Sequence, residues 1–122
     1  MTSAIAPWPV ELKYVRAQRL LKIDFDDGTS FQLPGEYLRV ESPSAEVQGH
    51  GASQRQTVAG KRNVGIAQIE PVGRYAVRIV FDDGHDTGLF SWAYLQQLGR
   101  EHTTRWTEYE RRLAAARLSR DT

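Results

Sequence analysis

The chain has 122 residues, 40% hydrophobic and 25% charged, with a formal net charge of +1 and no cysteine. This length suits one domain over residues 1–122 with one proper core. Near-neutrality supplies no strong field for nucleic acid or an anionic membrane. The absence of cysteine excludes disulfides, thiolate zinc sites, iron–sulfur ligation and cysteine nucleophiles.

Met1–Pro9 reads as a loose lead-in, because Pro7 and Pro9 push their neighbours toward extended backbone. It lacks a basic segment followed by an apolar one, and no apolar run reaches bilayer-spanning length. A cytoplasmic, cysteine-free protein is the expectation. Val10–Arg16 forms a first strand, with Val10, Leu12 and Tyr14 on one side, and Gln18-Arg19 a turn. Leu21, Ile23 and Phe25 alternate with polar residues, as a half-buried strand requires. Asp27-Gly28 supplies the positive-φ residues that a tight two-residue hairpin turn needs, and Phe31 and Leu33 return from it. Pro34 suits the first turn of a short helix over Glu36–Val40.

Glu41–Asn63 is rich in small polar residues and reads as a long loop, of the kind that is often functional, with one helical turn at Ala45–Gln48. Val64–Pro71 is a strand whose parity breaks at Ile69, which a bulge near Ala67-Gln68 would reconcile. Val72-Gly73-Arg74 turns the chain. Tyr75, Val77, Ile79 and Phe81 alternate in the clearest strand. Asp83-Gly84 repeats the hairpin turn, and His85–Thr87 begins the return. Ser91 caps a helix to about Leu98, which Gly99 ends or kinks. Thr103 or Thr104 caps a last helix over 103–118, with Trp106, Tyr109, Leu113 and Ala116 on one stripe and a Glu108–Arg112 pair on the wet side.

Leu21–Arg39 and Tyr75–Leu98 therefore share one layout, each with Phe-Asp-Asp-Gly followed by Tyr-Leu. The fold expected is α+β: an antiparallel sheet built from two related Asp-Gly hairpins, with short helices and a C-terminal helix packed against it.

Asp26, Asp27, Asp82, Asp83, Asp86 and His85 have the residue types of acid–base or metal chemistry. The turn mechanism accounts for the Asp-Gly pairs without a ligand. A metal activity around His85, Asp86 and His50 is one alternative, although His50, His85 and His102 show no metal-ligand spacing. No serine lies in a nucleophile elbow. Gly60-Lys61-Arg62 fails the phosphate-loop pattern, with Arg55 and Arg62 where Gly and Ser/Thr belong. Arg55, Lys61 and Arg62, with His50, form a basic patch on the long loop suited to a protein partner. Arg105, Arg111, Arg112, Arg117 and Arg120 give the last helix a basic face. Nucleic-acid binding there is a further alternative, against which stands the small charge excess. Trp8 or Trp106, if exposed, would mark a contact between copies, although burial is the commoner fate of Trp.

The repeat FDDG…LPGEYLRVESPSAEV followed by VGRYAVRIVFDDGHDTGLFSWAYL resembles the γ-butyrobetaine hydroxylase-like N-terminal domain, over about Leu12–Leu98. In that family the domain precedes an iron- and 2-oxoglutarate-dependent oxygenase barrel in γ-butyrobetaine and trimethyllysine hydroxylases and is itself non-catalytic. There it holds a structural zinc through a Cys-x-Cys-x-x-Cys segment and the His of Asp-Gly-His. The matching positions here are Ser42, Ser44, Val47 and His85, so the resemblance does not carry zinc over and implies no cofactor. The barrel has no counterpart in this sequence, and hydroxylase activity is not implied. Small stand-alone bacterial relatives, and similar domains attached to ATPases that handle iron–sulfur clusters, suggest a non-enzymatic protein-binding role.

Overall fold

The structure, a computed structural model, describes residues 8–44 and 57–121. The lead-in before Trp8 and the expected helical turn at Ala45–Gln48 lie outside the described residues. The chain runs β1 (Pro9–Val15), a 3-10 turn (Arg16–Gln18), β2 (Leu20–Phe25), β3 (Ser30–Pro34), α1 (Gly35–Val40), β4 (Ile66–Val72), β5 (Ala76–Phe81), β6 (Leu89–Ser91), α2 (Trp92–Arg100) and α3 (His102–Ala115). The class is α+β, and the two hairpins stand in separate antiparallel sheets, β1-β2-β3 and β4-β5-β6. Both sheets bury their inner faces in one core. Leu21, Ile23, Phe25 and Leu33 meet Ile66, Val77, Ile79, Phe81 and Phe90, with Tyr37, Leu38, Leu95 and Leu98 from α1 and α2. The last helix packs mainly elsewhere: Tyr109 and Leu113 join Val40, Val58 and Ala59 in a second cluster, which Trp106 links to the first.

The two halves repeat each other down to single hydrogen bonds. Each first strand carries a bulge, at Val10 and at Ala67. Each hairpin closes through the same pair of bonds. Gly28 N–H donates to Phe25 O and Phe25 N–H to Thr29 O; Gly84 N–H donates to Phe81 O and Phe81 N–H to His85 O. The helices then interlock reciprocally. Tyr37 Oη donates to Leu98 O at 2.7 Å, and Tyr94 Oη to Glu41 O at 2.5 Å. Arg39 on α1 reaches the second turn at Asp83, and Gln96, its counterpart on α2, reaches the first at Asp27. Each helix thus pins the other half, a packing device that no local pattern specifies.

Several expectations shift. The turns are three-residue loops, not two-residue ones, so only the glycines take positive φ, at 87° for Gly28 and 94° for Gly84. The aspartates close the loop by side chain instead: Asp27 Oδ1 accepts from Thr29 N–H and Asp83 Oδ1 from His85 N–H. Gly28→Val and Gly84→Val should each lower stability by ~1–2 kcal/mol in urea melts. The cost is backbone strain alone, since no atom lies within 4 Å of either added Cβ.

Val10 does not share the Leu12–Tyr14 side, because it is the bulged residue and is 69% exposed. Tyr75 lies in the turn before β5 and is exposed, its ring meeting Trp8 edge-on. The return strand starts at Leu89, later than His85–Thr87, and His85 is instead buried with its ring on Ser42 and Ser44. Pro34 ends β3 and precedes the helix, with ψ of 145°. Ser91 Oγ does cap α2, accepting from Tyr94 N–H. Gly99 does not end that helix, which runs on to Arg100. Neither threonine caps α3: the residue before it is Glu101, shared with the end of α2, and no side chain caps. The helix stops at Ala115, which leaves Ala116 exposed beyond it.

Candidate functional site

The site lies where the two halves differ. At the end of α1 the chain turns inward, burying Ser42 and Ser44, while the second hairpin delivers His85 from the opposite side. His85 Nε2 lies 3.0 Å from Ser42 Oγ and 3.3 Å from Ser44 Oγ, and Ser44 N–H donates to Ser42 Oγ. Gly88 makes the room, because a Cβ there would stand 2.5 Å from Ser42 Oγ. In the other half the positions of Gly88, Ser42 and His85 are held by Phe31, Gly99 and Thr29. There the Phe31 ring sits directly on Gly99. One half therefore fills this place with an aromatic ring and the other with a buried polar cluster. Buried polar groups persist where their hydrogen bonds are satisfied, and these three lie within hydrogen-bonding distance of one another through His85 Nε2. Val47, the fourth position matched to the resemblance, lies outside the described residues.

The acidic turn residues are each engaged. Asp83 accepts from Lys61 Nζ at 2.6 Å and from Arg39 Nε at 2.8 Å. Burial alone would raise its pKa, but Lys61, the His85 N–H and Arg39 outweigh burial and hold it at about 2. Asp27 is lowered by its bonds from Thr29 and Gln96, with Arg100 nearby. Asp82 Oδ2 accepts from Gly65 N–H, Asp26 Oδ1 accepts from Trp8 N–H, and Asp86 meets Arg78. No group of three or more potential metal ligands from His, Cys, Asp and Glu occurs among the described residues.

The sign of the Asp83 shift gives a pH prediction. A carboxyl depressed in the folded state stabilises above its unfolded pKa of 3.8, and that contribution is lost as pH falls through about 2. The difference in urea midpoint between the parent and Asp83→Asn should therefore shrink steadily across that window. A difference that stays constant would refute the assignment.

Of the loop's basic patch, Lys61 is tied to Asp83, and Arg62 makes a two-pronged pair with Asp121. His50 and Arg55 lie outside the described residues. The loop's return limb is held by the C-terminal tail, Gly60 N–H donating to Ser119 O and Arg62 N–H to Arg120 O. Of the basic residues expected on the last helix, Arg105 pairs with Glu41 and Glu101, and Arg111 and Arg112 with Glu108, whereas Arg117 and Arg120 lie beyond its end at Ala115, Arg120 paired with buried Glu36. These partners lie up to 84 residues apart, so neither Glu36 nor Glu41 stood out in the sequence. His102 stacks on Tyr37, and burial lowers its pKa. Trp8 is 44% exposed, whereas Trp106 is half-buried. No helix among the described residues is long and apolar enough to cross a membrane.

Two solution structures determined by NMR are similar to this chain. One is 49% identical over 98% of this chain and 89% of its own, with a TM-score of 0.83; the other is 44% identical over 96% and 92%, with a TM-score of 0.84. A crystal structure of a DUF971-family protein of unknown function from Acidithiobacillus ferrooxidans is 40% identical over 75% of this chain and 91% of its own, with a TM-score of 0.63. A comparison with curated proteins finds no match. The family profile described as "Gamma-butyrobetaine hydroxylase-like, N-terminal" matches residues 12–96, both repeats and the polar cluster between them. The duplicated scaffold and that match agree: the chain belongs to the gamma-butyrobetaine hydroxylase-like N-terminal domain family.

Proposed function

We propose that this protein is a non-catalytic protein-interaction module that works without a bound metal and presents the segment between Ser44 and Thr57 to a protein partner. The observation that carries the reading is that both limbs of this segment are anchored. Glu41, Ser42 and Ser44 are buried at its start. Tyr109 Oη donates to Val58 O at its end, and Lys61 and Arg62 are ion-paired just beyond. Binding residues are disproportionately found on loops that a rigid scaffold positions. His50 and Arg55 are the segment's candidate contacts, with Lys61 and Arg62 at its foot. An open groove of about 650 Å³, lined by Glu41, Glu101, Thr104, Arg105 and Glu108, lies at the segment's start, where Glu41 is buried. The family resemblance favours iron–sulfur or oxygenase proteins as the partner class.

The engagement of the turn carboxylates supports a non-enzymatic role, since a general acid or base must be free to exchange its proton. The donor chemistry at Ser42, Ser44 and His85 does not fit a structural zinc, which takes thiolates and imidazoles. Purified protein should therefore contain no stoichiometric zinc by elemental analysis, and added zinc should leave the melting temperature unchanged. A stabilising shift with zinc would overturn the metal-free reading.

The partner reading is tested by affinity capture from the native host. Residues 45–56 are replaced by a short Gly-Ser link, and folding is checked by circular dichroism. Loss of the captured partners is expected. Identical partners with the folded, shortened chain would refute the proposal.

A further inference from the structure

The duplication makes the outer faces of the two sheets comparable position by position. In the second sheet Glu70 stands opposite Arg78 and closes an ion pair at 2.6 Å, with Asp86 also on Arg78 at 3.4 Å. Counting from the bulges and the turns, the equivalent pair in the first sheet is Lys13 and Lys22, directly opposite each other. One row along, Glu11 stands opposite Asp24. Like charges directly opposite destabilise an antiparallel pair, and here two such rows adjoin. Glu11 and Lys13 are exposed and Lys22 half-exposed, and none of the three has an ion-pair partner among the described residues. Among the described residues Asp24 has only the neutral hydroxyl of Ser30.

The rows are opposite in sign and two residues apart along the strand, about 7 Å. That arrangement is self-complementary. Consider a two-fold axis in the plane of contact, running across the strands between the rows. It lays Glu11 of one copy over Lys13 of the other and Asp24 over Lys22, and the reverse. The same rotation carries the half-buried row of Val15, Leu20 and Pro34 toward Val10, whose bulge leaves it 69% exposed. A two-fold interface needs one patch that complements itself, and this face supplies both charge signs with apolar residues at either end.

We infer that the outer face of the β1-β2-β3 sheet is a homodimer interface, in which a second copy of this chain satisfies the like-charge rows. The inference is independent of the loop reading. The ion pairs are partly wet, so the dimer is weak and salt-sensitive.

Analytical ultracentrifugation tests it on the full chain. The parent should associate reversibly at low salt and at least about tenfold more weakly at high salt. Lys13→Glu/Lys22→Glu and Glu11→Lys/Asp24→Lys should each be monomeric, and an equimolar mixture of the two should form a one-to-one heterodimer. Melting curves establish that both variants fold. If either does not, Lys13→Gln/Lys22→Gln should weaken association without adding charge. A parent that stays monomeric at low salt and about 1 mM, folded variants that do not associate when mixed, or self-association indifferent to all these changes would each overturn the inference.

Discussion

Glu41→Ala should cost about 3–5 kcal/mol of folding free energy, the largest loss expected from a single side chain outside the apolar core. Glu41 is 1% exposed and sits at the C-cap of α1. Its carboxylate accepts from Arg105 Nη1 at 2.7 Å and has Arg112 Nη2 at 3.9 Å. Truncation strands these two guanidinium groups, each mostly buried. Arg105 keeps Glu101 and Arg112 keeps Glu108, which places the loss toward the lower end. Total stabilities of domains are typically ~5–15 kcal/mol, so the variant should be only marginally folded. Urea titration reads the loss directly. Glu41→Gln separates charge from shape: it keeps the amide near Arg105 but removes the ion pair, and should cost less. Glu41→Leu paired with Arg105→Leu should recover most of the loss, because the penalty lies in the orphaned charge. An Ala variant within about 0.5 kcal/mol of the parent would mean that this pair behaves as an ordinary surface one.

What the sequence showed and what it hid follow from the range of each interaction. Leu21, Ile23 and Phe25, and Val77, Ile79 and Phe81, alternate within one strand, so their burial was legible. The bulge at Ala67 was legible because it broke that alternation. Gly28 and Gly84 marked the turns correctly, though the loop length was misjudged; Asp-Gly serves either length, and the choice falls to the strand register. Pairings between the halves were invisible. Nothing near Arg39 announces Asp83, 44 residues on, and nothing near Glu41 announces Arg105. For the candidate site, the family resemblance aligned Ser42, Ser44 and His85, and the structure places them within hydrogen-bonding distance. The helix-stop reading of Gly99 failed for the same reason of range, since local signals cannot distinguish a glycine that ends a helix from one that admits a neighbour.

Gly99→Ala should destabilise by about 2–3 kcal/mol, although alanine is the better helix former by ~1 kcal/mol. A Cβ at Gly99 would stand 2.3 Å from Phe31 Cγ, 2.5 Å from Cδ1 and 2.7 Å from Cδ2. Cγ is the base of the ring, one bond from a Cβ that β3 fixes opposite Ile23 of β2, so only a change of χ1 would carry the ring clear. It also packs edge-on against Phe25, which is buried. The strain must therefore move α2 away from the first sheet and pull on the Gln96–Asp27 clamp. Gly99 has no positive φ, so a backbone penalty plays no part and the clash alone decides the sign. Phe31→Ala should cost stability by itself yet relieve the second substitution, giving a favourable coupling in the double-mutant cycle. If Gly99→Ala were neutral or stabilising, close approach would not be the reason for glycine here. Gly88→Ala makes the mirrored test, since its Cβ would strike Ser42 Oγ at 2.5 Å and only graze the Phe90 ring edge at 3.0 Å. A hydroxyl can turn aside more easily than a phenyl base, so that variant should lose less stability while moving Ser42 off His85, a displacement read from the His85 imidazole NMR shifts.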